Sequence, residues 1–214
     1  MVRPAVPDPI DGPLWAGFLA HYGWDIGANC GQSITNMEQV CTKFTCFEPC
    51  GASFEYARQT YPAAHILQLA VSDENGWIEL AIPGAEQWET GQLVTIGVKG
   101  MEWEPENWGD VEKVTVSART ADSLAVEFGV PGFVKVDTEG HETRVLEGAY
   151  GLLKRRKTSW LIEFHSPENM QACYGYLRGN GYDAVHIVRH PNYPEGSDMW
   201  HQHGWIRAFA PAVR

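Results

Sequence analysis

The sequence has no uninterrupted apolar stretch long enough for a membrane helix or a secretory signal peptide. Its first twenty residues contain one arginine and several prolines without a sustained apolar segment. Positive charge is also scarce, since 16 Lys and Arg stand against 27 Asp and Glu, for a formal net charge of −11. Nucleic acids and anionic membranes are bound through basic surfaces. We therefore expect a cytoplasmic protein that has neither nucleic acid nor membrane as a partner.

Cysteine pairs with the spacing of metal ligands are missing as well. The five cysteines are odd in number, and Cys41, Cys46 and Cys50 lie close together without matching a zinc motif. Cys46 falls within an apolar, strand-like segment, which favours packing as a small buried hydrophobe. This usage is typical of a protein from a reducing compartment.

Internal repeats, low-complexity segments and linker-like tracts are absent from the sequence. A chain of 214 residues is long enough for one well-buried domain and short for two. We expect a single domain over residues 1–214, with residues 1–20 as a short N-terminal extension. Residues 83–110 are rich in Gly, Trp and Glu and have little periodicity, which predicts a long surface excursion and a candidate substrate lid.

Short apolar strands alternate with helical segments along the rest of the chain. The predicted strands cover residues 21–26, 43–47, 65–71, 77–82, 111–116, 133–136, 159–164, 182–188 and 205–210. The first predicted helix ends near residue 40, and the later ones cover residues 52–60, 120–128, 142–153 and 167–178. Alternation of this kind predicts an α/β, doubly wound fold with a mostly parallel sheet. The last two strands have no predicted helix between them, so we expect them to form a C-terminal antiparallel hairpin.

The first predicted strand ends in the turn Asp25-Ile26-Gly27-Ala28-Asn29-Cys30-Gly31. Ligands of such sheets bind at the carboxyl ends of the strands. The spacing from Gly27 to Gly31 departs from the dinucleotide pattern, and no P-loop lysine follows, so phosphate-bearing ligands are disfavoured. A carboxylate at Asp25 would repel a pyrophosphate but suit a ligand with an ammonium and a sulfonium, as in S-adenosylmethionine. Glu48 ends the second strand, where an acid can bind a ribose diol; the alternative is an exposed strand end.

Several further motifs follow in a fixed order. They are Phe47-Glu48-Pro49, Leu69-Ala70-Val71-Ser72-Asp73, Lys135-Val136-Asp137-Thr138-Glu139-Gly140-His141-Glu142, Val145-Leu146-Glu147-Gly148-Ala149 and Ile162-Glu163-Phe164-His165. With the glycine turn they resemble the FkbM family of methyltransferases over roughly residues 23–188. The resemblance implies a class I, Rossmann-like methyltransferase sheet, S-adenosylmethionine as cofactor, and O-methylation of a sugar, glycan or secondary metabolite. The cofactor-binding residues implied are Asp25, Gly27, Asn29, Gly31, Glu48, Ala70 and Asp137.

Methyl transfer to a hydroxyl requires alignment of the reactants and either a base or a metal ion. Asp137 ends one predicted strand and Glu139 follows in the same turn, while Glu163 and His165 end the next strand. In one hypothesis His165 is the general base, oriented by Glu163 or Asp137. In the other, Asp137 and Glu163 bind Mg²⁺, an arrangement that resembles cation-dependent O-methyltransferases. Acids at helix starts are common, so we interpret Glu142 as a helix cap.

Aromatic residues in two predicted loops offer a cleft for a carbohydrate-like acceptor, or packing that pins those loops to the domain. They are Tyr193, Trp200, His201 and His203 in one loop, and Trp88, Trp103 and Trp108 in the other. Two rival functions remain open: a nicotinamide-dependent oxidoreductase, and a binding protein that retains the fold without catalysis. Methylation of nucleic acid is disfavoured by the net charge and by the missing Asn/Asp-Pro-Pro-aromatic motif.

Overall fold

The computed structural model of this chain describes residues 11–83, 111–183, 185–189 and 194–211. Almost all of the predicted excursion over residues 83–110 lies outside the described residues. Trp88, Trp103, Trp108 and Tyr193 lie outside them too.

Ten strands and eight helices make up the described parts of the chain. The strands are β1 (Ala20–Ile26), β2 (Cys41–Phe47), β3 (His65–Leu67), β4 (Ala70–Ser72), β5 (Gly76–Pro83), β6 (Val111–Thr120), β7 (Phe133–Val136), β8 (Ser159–Phe164), β9 (Val185–Arg189) and β10 (Gly204–Ala208). The helices are α1 (Asp11–Trp15), α2 (Ile34–Val40), α3 (Gly51–Thr60), α4 (Ala121–Phe128), α5 (Glu142–Glu147), α6 (Tyr150–Arg155), α7 (Pro167–Gly179) and α8 (Asp198–Gln202). None of these described helices is long and apolar enough to cross a membrane.

The main sheet has seven strands in the order β3-β2-β1-β7-β8-β10-β9. Within this sheet, the neighbouring strands in the run β3-β2-β1-β7-β8 pair in parallel. The remaining strand β10 pairs antiparallel with both β8 and β9. This order confirms the predicted α/β, doubly wound class with a C-terminal antiparallel hairpin. The prediction that no helix lies between the last two strands is wrong, because α8 lies in their connection.

The predicted strand over residues 65–71 is wrong as a single element. Its first part, β3, pairs with β2, whereas β4 pairs with β6 in a separate three-stranded sheet of order β4-β6-β5. The carbonyl oxygen of Leu67 accepts the last hydrogen bond on the main-sheet side, from Glu48 N at 3.0 Å. Leu69 then turns into the core at 9% exposure. Each part contributes buried apolar residues, Ile66 from β3 and Ala70 and Val71 from β4, although in different sheets.

The predicted helix over residues 142–153 is divided into α5 and α6. The carboxylate of Asp122 accepts hydrogen bonds from Gly151 N at 2.6 Å and Leu152 N at 2.9 Å, and so caps the start of a new helix. At the break, Gly148 packs against the carbonyl oxygen of Ser72, which would lie 2.0 Å from a Cβ atom. The start of α4 is capped by Thr120, whose Oγ1 accepts from Ser123 N at 3.1 Å.

The two faces of the central strands differ in polarity. One face contributes Trp24, Ile26, Val134 and Val136 to the largest core cluster, together with apolar residues of α4 to α7. The opposite face packs apolar residues such as Phe133 against α1. Near the carboxyl ends of β1 and β7 this second face carries charge instead, since Asp25 and Lys135 are register partners in neighbouring strands. The sheet therefore places charged groups beside the glycine turn.

All five cysteines are free and buried. Cys41 packs against the α1 side of the sheet, Cys46 against α2 and α3, and Cys173 in the large core. They pack as small apolar side chains, as predicted.

Candidate active site

The glycine turn after β1 has a left-handed backbone at three positions. The φ angles are +78° at Gly27, +49° at Asn29 and +84° at Gly31. The amides of Gly27 and Ala28 both donate to the carbonyl oxygen of Phe47, at 2.9 Å and 3.1 Å, which fixes the turn to the end of β2. A Cβ atom on Gly27 would lie 1.7 Å from the carbonyl oxygen of Asp137. The turn and the end of β7 are thus in direct backbone contact.

We expect Gly27→Ala to destabilise the fold far more than Gly17→Ala. Both glycines have a left-handed φ, +78° and +87°, so the backbone strain is comparable. A Cβ on Gly17 would meet its nearest atom, in Phe209, at 3.6 Å, which is an ordinary contact. The free energy of unfolding from denaturant titration should be lower by about 2 kcal/mol or more in Gly27→Ala relative to Gly17→Ala. Equal stability of the two variants would contradict this packing.

Glu48 is buried, with 6% of its surface exposed, so the interpretation as an exposed strand end is wrong. Its Oε2 accepts from Asn29 N at 2.8 Å and its Oε1 from Cys50 N at 2.7 Å. Burial raises the pKa of Glu48 to about 7, against the effect of these two amides. Each carboxylate oxygen has a second lone pair. Glu48 therefore fixes the glycine turn and still has capacity to accept hydrogen bonds from a ligand.

A narrow apolar slot lies between the glycine turn, the end of β2 and the start of β4. It is lined by Ile26, Gly27, Phe47, Pro49, Leu69, Ala70, Val71, Ile78, Thr138 and His141. Apolar walls with a few polar groups at the edge are typical of sites for flat heterocyclic ligands. Glu48 immediately follows Phe47, so a buried carboxylate stands beside this slot.

Asp25 is fully buried and pairs with a lysine of the same chain. Lys135 Nζ lies 3.3 Å from Asp25 Oδ1 and 3.1 Å from Asp137 Oδ2, and it donates to the carbonyl oxygen of Gly27 at 3.2 Å. Burial alone would lower the pKa of Lys135, but Asp137 and Asp25 raise it above its ordinary value. The expectation that Asp25 directly faces a cationic ligand is therefore not met, because its counter-charge is Lys135.

Lys135 lies in one of the motifs quoted above, but no functional role was predicted for it. Its signal is visible in the sequence, since it interrupts the apolar strand Phe133–Val136. Lysine is almost never fully buried unless it is paired. A lysine within a buried strand therefore indicates carboxylates on the neighbouring strands.

His165 lies at the centre of four carboxylates. Its Nε2 is 3.3 Å from Glu139 Oε2, 3.8 Å from Asp137 Oδ1 and 4.0 Å from Glu163 Oε1. Its Nδ1 is 3.3 Å from Glu142 Oε1. The structure thus brings together the four residues proposed from sequence at the ends of β7 and β8, and it adds Glu142. We call these five residues the carboxylate–histidine cluster.

Both ring nitrogens of His165 face carboxylate oxygens, which favours a proton on each of them. Burial alone would lower the pKa of His165, but Glu142, with Glu139 and Glu163, raises it well above its ordinary value. His165 is therefore an imidazolium near neutral pH. An imidazolium has no lone pair with which to accept a proton.

Glu142 is fully buried and holds the loop between β7 and α5. Its Oε1 accepts from Thr138 N at 2.8 Å, from Thr138 Oγ1 at 3.2 Å and from Gly140 N at 3.1 Å. Burial by itself would raise the pKa of Glu142, but His165 and the amide donors lower it to about 2. Glu142 was expected as a helix cap; it instead fixes the preceding loop and orients His165.

The pKa values of the two remaining glutamates of the cluster are shifted in the opposite direction from that of Glu142. Burial, together with the neighbouring carboxylates, raises the pKa of Glu139 to about 7 and that of Glu163 to about 8. Their side chains are 34% and 23% exposed, so both reach the open side of the cluster. Carboxylates with a pKa near the ambient pH are suited to exchange protons with a bound hydroxyl.

The cluster fits a magnesium ion poorly. Ligand atoms of Asp137, Glu142 and His165 lie within 4.8 Å of one another. However, Glu142 Oε1 already accepts three hydrogen bonds, and Nε2 of His165 lies among the oxygens of Asp137, Glu139 and Glu163. Magnesium requires an octahedron of oxygen ligands. The imidazolium supplies the positive charge at the position where the ion would bind.

The connection between β9 and β10 reaches the cluster through His203. The rings of His165 and His203 are 5.5 Å apart and perpendicular. Trp200 instead packs against Arg189, whose guanidinium lies 5.1 Å from the Trp200 ring and donates to the Trp200 carbonyl oxygen at 3.3 Å. Packing thus accounts for Trp200, while His203 borders the open side of the cluster.

Comparison with solved structures identifies the fold. A methyltransferase FkbM from Methylobacillus flagellatus KT matches with a TM-score of 0.57 and 14% identity, over 87% of this chain and 43% of that chain. This chain therefore spans less than half the length of that protein. A precorrin 8W decarboxylase from Methanobacterium thermoautotrophicum matches with a TM-score of 0.50 and 11% identity, over 97% of this chain and 95% of the other. Among curated proteins, none matches the sequence significantly.

The sequence itself matches a family model. The model describes the methyltransferase FkbM domain, and the match extends over residues 25–189. It begins at Asp25 in β1 and includes Glu48, Lys135 and all five residues of the carboxylate–histidine cluster. Because this match covers most of the chain, and the sheet agrees with it, the protein belongs to the FkbM methyltransferase domain family.

Proposed function

We propose that this protein is an S-adenosylmethionine-dependent O-methyltransferase acting on a hydroxyl group of a sugar, glycan or secondary metabolite. The main observation in support of this proposal is that the carboxylate–histidine cluster adjoins the glycine turn. Lys135 Nζ contacts both the carbonyl oxygen of Gly27 and Oδ2 of Asp137. A cofactor bound over the turn would therefore have acid–base groups beside its methionine half.

The proposed cofactor site uses the slot, the turn and Glu48. The slot with Ala70 holds the base, and the free lone pairs of Glu48 accept the ribose hydroxyls. The turn with Gly27, Asn29 and Gly31 follows the methionine half. Asp25 acts through Lys135, and Asp137 borders the transferred group. The close packing of Gly27 against the carbonyl oxygen of Asp137 holds this turn beside the end of β7.

The bound cofactor supplies an electrophilic methyl group on a sulfonium. Asp137 and Glu139 would orient the acceptor hydroxyl, and the Glu163 carboxylate would accept its proton. We assign the base to Glu163 because Trp205 Nε1 holds its Oε2 at 3.2 Å while its Oε1 lies 4.0 Å from His165 Nε2, and because burial raises its pKa to about 8. His165 stabilises the surrounding negative charge as an imidazolium. This division of roles differs from the hypothesis in which His165 is the base.

The composition of the site supports a small acceptor without negative charge. The cluster contains four acidic side chains and one imidazolium, so a phosphorylated or carboxylated acceptor would be repelled once Glu139 and Glu163 are ionised. The net charge of −11 disfavours nucleic acid in the same way. A cytoplasmic location and a single domain over residues 1–214 complete the proposal.

Calorimetric titration with S-adenosylhomocysteine tests the cofactor site. We expect binding by the wild-type protein and affinity weaker by about tenfold or more in Glu48→Gln, since an amide cannot accept from both Asn29 N and Cys50 N. Glu55→Gln, on the exposed face of α3, is the matched control and should bind normally.

Parallel titration with NADH separates the rival functions. Heat with NADH and none with S-adenosylhomocysteine would favour the oxidoreductase. Heat with neither ligand would contradict the cofactor site. Binding of S-adenosylhomocysteine without methyl transfer to any hydroxyl acceptor would favour the non-catalytic alternative.

A further inference from the structure

His141 has one ring nitrogen bound and the other unpaired. It is the residue before α5 and is 2% exposed. Its Nε2 lies 2.9 Å from Ser72 Oγ. Among the described residues its Nδ1, also buried, has no hydrogen-bond partner. Buried polar atoms in folded proteins nearly always have a partner, so this nitrogen needs an explanation.

The neighbours of His141 determine which nitrogen carries the proton. Arg144 Nη1 lies 2.9 Å from Asp73 Oδ2, and Ser72 Oγ lies 2.8 Å from Asp73 Oδ1. Partial burial opposes the effect, but Ser72 and Arg144 together lower the pKa of Asp73, so its carboxylate can only accept. The single hydroxyl proton of Ser72 is therefore donated to Asp73. Ser72 Oγ must then accept from Nε2 of His141.

The second nitrogen of His141 is consequently an acceptor. Burial lowers the pKa of His141, so the ring is neutral near pH 7. With its one proton on Nε2, the ring has a lone pair on Nδ1. A buried acceptor of this kind needs an N–H or O–H donor, which a bound water or a ligand in the adjoining slot can supply.

His141 lines the apolar slot together with Ala70, Val71 and Phe47. This is the slot in which the proposed function places the adenine ring. Adenine has a single exocyclic N–H donor group, its amino group. The ammonium of the methionine half belongs at the glycine turn, and the ribose hydroxyls belong at Glu48. The amino group of the base is the donor that remains for Nδ1.

We propose that Nδ1 of His141 accepts a hydrogen bond from the adenine amino group, and that Ser72 is a positioning residue that keeps this acceptor in place. The inference rests on the proposed cofactor site. A base with a carbonyl at the same position, such as hypoxanthine or guanine, would direct an oxygen lone pair at the nitrogen lone pair. The Arg144–Asp73–Ser72–His141 series therefore selects an amino-purine.

Calorimetry with two ligands tests this selection. One ligand is S-adenosylhomocysteine, and the other is its analogue with unsubstituted purine as the base, which lacks only the amino group. We expect the wild-type protein to prefer the adenine compound by about tenfold, the usual effect of one buried hydrogen bond. His141→Phe keeps a ring of similar shape but has neither nitrogen, so its preference should fall to about twofold or less. His186→Gln, on the exposed side of β9, is the control and should keep the wild-type preference.

A second variant keeps the test decisive if His141→Phe unfolds. Ser72→Ala removes the acceptor for Nε2 of His141, so the ring proton is no longer held on that nitrogen. The preference for the adenine ligand should then be reduced, whereas binding should not be abolished. Preference for adenine that is unchanged in both variants would overturn the inference. Failure of the wild-type protein to bind either ligand would overturn the proposed cofactor site, and the inference with it.

The tautomer can be measured directly by ¹⁵N NMR of the histidine rings. We expect His141 to show a protonated Nε2 and an unprotonated Nδ1 with and without S-adenosylhomocysteine, and Ser72→Ala to show a mixture. A proton on Nδ1 in the wild-type protein would overturn the inference independently of any binding result.

Discussion

Glu163→Gln is expected to lower kcat by about 100-fold or more while the affinity for S-adenosylhomocysteine stays unchanged. Removal of a general base typically costs a factor of about 10² to 10⁴. Glutamine has the same shape, and its amide oxygen can still accept from Trp205 Nε1, which lies 3.2 Å from Glu163 Oε2. The fold and the cofactor site should therefore persist. Initial rates with an accepted hydroxyl substrate and calorimetry with the demethylated cofactor measure the two quantities.

Glu79→Gln is the matched control for this experiment. Glu79 is a half-exposed glutamate of β5 that pairs with Lys113 at 3.1 Å, on the sheet that does not carry the cluster. Its replacement should leave kcat unchanged. Asp137→Ala and His165→Ala should also abolish turnover, and His165→Ala should keep cofactor affinity. Activity of Glu163→Gln within a few-fold of wild type would contradict its assignment as the base.

The pH dependence distinguishes the two possible bases. A base must be deprotonated to act, so kcat should rise with pH through a pKa of about 8 if Glu163 accepts the proton. If the imidazole were the base, the rise would instead follow the raised pKa of His165 and would persist in Glu163→Gln. The same assays with an excess of chelator test magnesium, because activity that survives complete chelation eliminates a metal-bound acceptor.

Lys135→Met should destabilise the protein by about 3–5 kcal/mol, the usual cost of removing one partner of a buried ion pair. Asp25 is fully buried, and Lys135 is 10% exposed by its side chain. Methionine fills a similar volume, so lost charge rather than lost packing accounts for the effect. The free energy of unfolding from urea titration at pH 8 measures it. Lys113→Met, on an exposed side chain that pairs with Glu79, is the control and should change stability little.

The destabilisation of Lys135→Met should be smaller at pH 5 than at pH 8. Burial raises the pKa of Asp25 even in the presence of Lys135. Without the lysine the carboxyl binds its proton more tightly in the folded state than in the unfolded state. The variant therefore loses stability as pH rises from the ordinary Asp pKa through the raised folded pKa. Asp25→Asn combined with Lys135→Met should recover part of the loss, whereas equal losses at both pH values would contradict the buried pair.

Alternation along the chain predicted the main sheet because each strand has an independent local signal. Phe133–Val136 and Ser159–Phe164 were located to the residue. The errors arise where distant residues decide the local structure. Asp122 starts α6 from outside the predicted helix, and the transfer of β4 to another sheet depends on its pairing with β6. Neither partner is near its target in the sequence.

Residue order along the chain predicted which side chains lie at the candidate site, but not which of them pair with one another. Strand ends place Asp137, Glu163 and His165 at one edge of the sheet, and this much follows from sequence order. The Asp25–Lys135 pair depends on the register between β1 and β7, which no local pattern specifies. The burial of Glu142 depends in turn on how α5 packs over β8. The charge of His165 depends on the position of Glu142, with Glu139 and Glu163.

The position of β10 sets the order in which the chain can assemble its catalytic edge. This strand lies between β8 and β9, so β9 can join the main sheet only after a strand that is synthesised later has paired with β8. The same strand brings the Trp205 indole to Glu163. On the ribosome, β1, β2 and β7 can therefore pair early, whereas the part of the sheet that holds Glu163 is complete only after residue 205 has emerged. Under the proposed function, the chain would then be able to bind the nucleoside before it can accept a proton.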